Sequence, residues 1–215
     1  MHNELQVLEE TTHPNIMRIF ELLEDDDYYY IVSEYIPGGE LYQRIIDLKR
    51  FNERDAALII QQLLLACNYM HSNNIIHRDI KPENILMESE DLGNYRIKVT
   101  DFGFACFCTP GDGEESKQQE QLGSPLYMAP EVVKEEKYDG KVDVWAVGVL
   151  AFILLSGGPP FRGRTRYEIF RSIKNQDLAF DKPIWKRVSE EAKEFITEAL
   201  NKDPSKRPTA ADLIQ

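Results

Sequence analysis

IIHRDIKPENIL, residues Ile75 to Leu86, places a histidine, an arginine, an aspartate, a lysine, a glutamate and an asparagine within twelve positions. Ile75-Ile76 open the stretch and Ile85-Leu86 close it. Both ends therefore demand burial, while the middle demands water or hydrogen-bond partners. A surface patch of His, Arg and Asp would need no such bracket. The pattern reads as a polar loop pinned between two buried segments, the usual setting for residues that do chemistry.

The rest of the composition bounds what that chemistry serves. With 215 residues and 42% apolar content, the chain can bury one sizeable core, or a large domain with part of a second. A net charge of -12, with no Lys/Arg-rich run, argues against non-specific nucleic-acid binding and fits attraction of basic peptides. Three cysteines, Cys67, Cys106 and Cys108, make no disulfide framework, and Cys106-Phe107-Cys108 lacks a second pair at metal spacing. The longest apolar run, Val144 to Leu155, is too short to span a bilayer and suits a buried central helix. The opening MHNELQVLEETTHPN is charged and amphipathic and reads as no signal peptide. The expected location is the cytoplasm, with the nucleus also open to the protein.

Periodicity supplies the architecture. Leu5, Val7 and Leu8 predict that the chain opens inside a helix, which TTHPN stops before Pro14. IMRIFELL and YYYIVSEY read as two strands joined by the acidic turn Glu24–Asp27. That turn lacks the alternation and glycine of an EF-hand loop, so it is read as solvated. IPGGELYQRI gives a turn and a helix. A long helix follows from Glu53, its stripe being Ala56, Ala57, Ile60, Leu63, Leu64, Cys67 and Met70. Leu86-Met87 and Ile97–Val99 predict short strands, and Asp101 to Glu131 one long loop of the kind that is usually functional. Helices are expected around Val142–Ser156, Tyr167–Asn175, Ser189–Asn201 and Ala210–Gln215. The fold class is α+β with a dominant helical domain, and no internal repeat is visible.

Three clusters now need a joint reading: HRDIKPEN (His77–Asn84), DFG (Asp101–Gly103) and APE (Ala129–Glu131). Together they resemble the eukaryotic protein kinase family, and the resemblance runs over essentially the whole chain. DFG alone would carry no information; three motifs in order at workable spacing do. The resemblance implies a protein-kinase-like fold, with residues 1–36 part of the N-terminal lobe and residues 37–215 the catalytic lobe. It implies ATP and Mg²⁺ as cofactors. Transfer of a γ-phosphoryl group concentrates negative charge, so the site needs fixed cations and hard-metal ligands. By resemblance, Asp79 orients the substrate hydroxyl and accepts its proton, and Lys81 neutralises charge on the γ-phosphate. Asn84 and Asp101 hold Mg²⁺. His77 is expected to be a packed scaffold residue and not a base.

The finer expectations rest on the same likeness. Lys81 followed by Pro, Glu and Asn favours the serine/threonine branch, and GSPLYMAPE agrees, with Ser124 placed to bond Asp79 and Lys81. Ser33, Glu34, Ile36, Glu40, Glu83 and Leu86 are expected at the nucleotide and substrate side. Glu40 and Glu83 would face basic side chains upstream of the phosphorylated residue. Ser33, before the hinge acid Glu34, implies a roomy pocket behind the base. Arg78 marks members whose activation loop is ordered by a phosphate, and Glu120 stands where that phosphorylated residue would be. Glu131 is expected to pair with Arg207, and Asp143 to bond backbone near His77-Arg78. HPNIMRIFELLED, IPGGELYQRI, YMHSNNIIHRDIKPENIL and LSGGPPF resemble the calcium/calmodulin-dependent and calcium-dependent protein kinase group. The implied partners are protein or peptide substrates with basic residues, and a calcium-sensing module or calmodulin outside this segment.

The chain also departs from the family pattern. It contains no Gly-x-Gly-x-x-Gly, and no lysine precedes Lys49. Glu4 matches the helix glutamate that pairs with the family's strand lysine, so the chain is read as starting part-way through that helix. Two functions are therefore open: a serine/threonine kinase seen in part, or a truncated kinase-like binding protein that no longer transfers phosphate. On either reading these 215 residues alone are expected to turn over little.

Overall fold

In a computed structural model of the protein, the described residues are 12–108 and 120–214. The expected first helix, and Glu4 with it, lies outside them. Two strands, β1 (Ile19–Glu24) and β2 (Tyr29–Ser33), form an antiparallel ribbon that pairs with no further strand among the described residues. Phe20, Tyr29, Tyr30, Ile31 and Val32 stand exposed on it, and an uncovered apolar strand edge is an aggregation hazard. Ile16, expected to start the first strand, instead makes a lone parallel bridge to Val99. Val99 N–H donates to Asn15 O at 2.8 Å and Met17 N–H to Val99 O at 2.9 Å. That ladder seats the ribbon on the helical lobe.

The helical lobe is built on two helices of different character. Helix α1 (Leu41–Leu48) precedes α2 (Glu53–Ser72), whose N-cap Asn52 accepts the Asp55 N–H at 2.9 Å, with Glu53 and Asp55 in the first turn. Its buried stripe is Ala56, Ile59, Ile60, Leu63, Leu64, Ala66, Cys67 and Met70, one face only. Short strands follow: β3 (Ile75–Ile76), β4 (Ile85–Met87), β5 (Ile97–Val99) and β6 (Cys106–Phe107). Strand β4 pairs with β5, placing Leu86 opposite Lys98. After the one-turn helix α3 (Pro130–Val133) comes α4 (Lys141–Ser156), buried from Val142 through Leu155. A helix apolar all round belongs at the centre of a core, and α4 packs against α2 and against α6 (Glu190–Ala199). Gly157, at φ 76°, ends α4 in the left-handed region that glycine reaches without strain. Helices α5 (Arg166–Asn175) and α7 (Ala210–Ile214) complete the lobe. No helix among the described residues is long and apolar enough to cross a membrane.

One expectation is corrected. Residues 101–131 are not a single loop, because Cys106 and Phe107 pair with Ile76 and Ile75, and Pro130–Val133 is helical. A two-residue strand has no period to read; only its partner defines it.

Gly148 lets α4 approach the C-terminal end of α6 closely. A Cβ there would lie 2.8 Å from Ala199 Cβ and 3.1 Å from Leu200 Cδ2. Replacing it with Val overfills a contact that neither backbone can relax. We expect Gly148→Val to lower unfolding free energy by about 1–3 kcal/mol in urea titration, and an unchanged midpoint would show that the helices part freely.

Candidate active site

The loop between β3 and β4 is held from beneath by one carboxylate. Asp143, near the start of α4 and 1% exposed, accepts His77 N–H at 3.0 Å and Arg78 N–H at 2.9 Å. Its Oδ2 also meets His71 Nε2 at 2.9 Å. Burial pushes the Asp143 carboxyl up, but the His71 hydrogen bond, the electrostatic pull of the nearby imidazoles and the His77 backbone bond more than offset that, leaving it below its ordinary value. The two amide bonds fix Arg78 at φ 68°, a left-handed conformation costly for a non-glycine residue. The turn this creates throws Asp79 and Arg78 to different sides.

His77 is the scaffold residue expected. Its Nε2 donates to Thr100 O at 3.1 Å, so its Nδ1 is the acceptor of Asp79 N–H at 3.2 Å. Full burial depresses its pKa. Phe102 packs on the ring at 5.0 Å between centroids. The loop is thereby tied to the strand that leads into Asp101.

Asp79 is the centre of the arrangement and only 3% exposed. Its Oδ1 accepts Ser124 N–H at 3.0 Å and Ser124 Oγ–H at 3.1 Å. Its Oδ2 accepts from Lys81 Nζ at 2.6 Å and from Asn84 Nδ2 at 3.0 Å. Asn84 Nδ2 donates to Asp79 O as well, which commits the nitrogen end of that amide and leaves Oδ1 as its available acceptor. Asn84 O takes Thr100 N–H at 2.9 Å. Asp101, exposed and at φ 61°, accepts Gly103 N–H at 3.2 Å. One carboxylate and one amide oxygen suit a hard cation that keeps water and phosphate ligands, as Mg²⁺ does. Among the described residues no group of three or more His, Cys, Asp or Glu side chains could hold an ion without such help.

Arg78 points away from Asp79, into the segment before Ser124. It donates from Nη1 to Glu120 Oε2 at 3.0 Å and to Tyr138 Oη at 3.3 Å, and from Nε to Phe104 O at 2.5 Å. Tyr138 in turn donates to Glu120 O at 2.9 Å. Glu131 and Arg207 form the expected pair, bidentate at 2.6 and 2.9 Å, with both side chains buried. Arg207 also donates to Lys141 O and Asn201 O, and its guanidinium lies over Trp145.

On the other side, Glu34 does not aim its carboxylate at open space. It pairs with Lys98 at 2.8 Å and accepts Arg18 N–H at 2.7 Å, so its carboxylate is committed within the fold. Ser33 is half-buried beside it, and Leu86 bridges Glu40. Glu40 and Glu83 are both exposed. Burial first, then the charges of Glu83 and Tyr42, push the Tyr127 phenol up. His71, Tyr138 and Lys98 were assigned no role from the sequence; each is recognised only by its partner across the fold.

With this geometry in place, comparison with known proteins is direct. The protein kinase domain family matches residues 1–215, and the chain belongs to that family. It is similar to calcium-dependent protein kinase 4 of Plasmodium berghei (strain Anka) and of Plasmodium falciparum (isolate 3D7). Each is 41% identical over 212 residues, covering 99% of this chain. The chain spans 39% of the length of these curated relatives.

The buried neutral His77 gives stability a pH dependence of defined sign. An unfolded histidine takes up its proton near pH 6.5, while folded His77 resists until lower pH. Its contribution is therefore full above that value and is lost as pH falls toward the depressed folded pKa. His13, lowered by burial and by Lys98, acts in the same direction. We expect unfolding free energy to drop between pH 7 and 5 by up to about 1.4 kcal/mol per pH unit for His77, with a smaller, solvent-screened contribution from His13. His77→Tyr should flatten this slope in urea titrations at several pH values; an unaltered slope would place the titration elsewhere.

Proposed function

We propose that the protein transfers the γ-phosphoryl group of ATP to serine or threonine hydroxyls of protein substrates, favouring basic residues upstream. The observation that carries this reading is the set of donors on the Asp79 carboxylate: Lys81, Asn84 and Ser124, all within 3.1 Å. A merely structural aspartate needs neither an ammonium nor a neighbouring amide with its oxygen turned outward. In the reaction the substrate oxygen bonds to the γ-phosphorus as the bond to the β-phosphate oxygen breaks, and ADP leaves. Asp79 orients the hydroxyl and takes its proton, while Lys81 stabilises charge on the moving phosphoryl group. Mg²⁺, held by Asn84 Oδ1 and Asp101, would neutralise charge on the phosphates. The exposed carboxylates of Glu40 and Glu83 support the basic-residue preference. Both relatives are named for calcium dependence, and we extend the proposal to calcium control through a sensing module or calmodulin in the full-length protein.

Asp79→Asn in the full-length protein should abolish peptide phosphorylation while leaving nucleotide affinity within about twofold. An interaction made mainly in the transition state lowers kcat and spares ground-state binding. Near-normal phosphorylation by this variant would sink the assignment.

Glu120 is proposed to do in part what a phosphate would do, ordering the activation segment through Arg78. The arginine is largely buried and the carboxylate exposed, so the pair should contribute about 1 kcal/mol. In enzyme free of activation-loop phosphate, Glu120→Gln should therefore lose roughly fivefold in kcat/KM. Unchanged activity would leave Glu120 a solvated residue of an acidic loop.

A further inference from the structure

The Glu34–Lys98 ion pair joins two segments that the reaction uses for different ends of the nucleotide. Glu34 begins the hinge between the ribbon and the helical lobe. Lys98 sits in β5, three residues before Asp101. The pair is 2.8 Å long and mostly shielded, the side chains being 14% and 24% exposed for Lys98 and Glu34. Glu34 is also held by Arg18 N–H on its carboxylate and by its own N–H to Arg18 O at 3.0 Å. These bonds engage its side chain and amide, and its carbonyl accepts the Ser33 Oγ–H at 3.4 Å, which leaves that oxygen one further acceptor direction for a ligand. Burial pushes the Glu34 carboxyl up, and the Lys98 hydrogen bond and charge with the Arg18 backbone bond bring it below its ordinary value, so it is charged at neutral pH.

The register of β4 and β5 adds a second link. Leu86 is directly opposite Lys98, and residues opposite one another in an antiparallel pair share a face. The aliphatic stem of Lys98 therefore flanks Leu86, the expected floor beneath the nucleotide base, while its ammonium reaches Glu34. Below, Val99 is tied to Asn15 and Met17 by two backbone bonds.

We propose that Lys98 is a positioning residue for nucleotide binding: through Glu34 it locks the hinge edge, the Leu86 floor and the approach to Asp101 into one register. This rests on the kinase reading given above. The pair touches no reacting atom, so its loss weakens binding of the base and leaves the chemical step in place once the nucleotide is bound.

The test uses the full-length protein and two readouts, equilibrium affinity for a fluorescent ATP analogue and steady-state kinetics with a basic Ser/Thr peptide. Lys98→Met keeps the stem and removes the charge. It should raise Kd and the KM for ATP about tenfold, leave kcat at saturating ATP within about twofold, and leave the thermal midpoint nearly unchanged. Lys98→Arg should recover most of the affinity. Glu34→Gln should raise Kd similarly, and the double variant should be no weaker than either single one, because both remove the same interaction. Unchanged Kd in Lys98→Met, or independent multiplicative losses in the double variant, would overturn the proposal. So would a parallel fall in kcat and thermal midpoint, which would mark a general structural role. Wild-type protein that binds the analogue but phosphorylates nothing would instead overturn the kinase reading, while the Kd series would still decide the role of Lys98.

Discussion

Asp143 is the constraint on which the site depends. A carboxylate buried inside an otherwise apolar helix is costly unless its acceptor capacity is filled. Here it is filled by two consecutive backbone amides and a histidine. Those amides belong to His77 and Arg78, so the bonds that stabilise the buried charge also dictate the backbone of the loop. They offset the cost of the left-handed conformation of Arg78. Once that turn is set, Asp79 faces Lys81 and Asn84 while Arg78 faces Glu120 and Tyr138. One interaction thus separates the side of the loop that carries Asp79, Lys81 and Asn84 from the side that meets Glu120 and Tyr138.

The apolar frame serves the same end. Helix α4 is buried along nearly its whole length, so its N-terminal turn cannot shift without disturbing the core. Arg207 locks the other face of that turn, donating to Lys141 O while gripping Glu131. The APE segment at the start of α3, the start of α4 and the turn before α7 are therefore one junction. A motif read as three separate clusters in the chain becomes a single packed object.

Much of this was legible because motif residues are local. HRDIKPEN carries Asp79, Lys81 and Asn84 within six positions, and the apolar brackets on both sides predicted β4 and the burial of Ile75-Ile76. The pairing of Glu131 with Arg207, of Asp143 with the loop backbone and of Glu120 with Arg78 was expected from resemblance, and each pair is in contact. What stayed illegible is what depends on distant partners. His71 reads as an ordinary last-turn histidine until Asp143 is seen 72 positions away. Lys98 is one polar residue in a short strand, and Tyr138 stands in a stretch with no period. Cys106-Phe107 is a strand only because Ile75-Ile76 lies beside it. The apolar pattern starts the first strand at Ile16, because it cannot tell a residue that bridges β5 from one that pairs with β2.

The donors on Asp79 impose a further condition on the proposed reaction. Each carboxylate oxygen offers two acceptor directions, and here each already has two donors: Ser124 N–H and Oγ on Oδ1, Lys81 and Asn84 on Oδ2. A substrate hydroxyl can donate to Asp79 only if one of these yields. The Ser124 amide is fixed by its backbone, and Asn84 is anchored a second time on Asp79 O. The two that can move are the Ser124 hydroxyl, which turns about one bond, and the Lys81 ammonium, which rides on a flexible stem. Phosphate charge would draw an ammonium more strongly than a carboxylate already served by three other donors, so in the proposed reaction Lys81 is the donor that would leave. Its departure frees Oδ2 for the substrate proton and delivers the cation to the group being transferred. Binding of the nucleotide and unmasking of the base are then a single event.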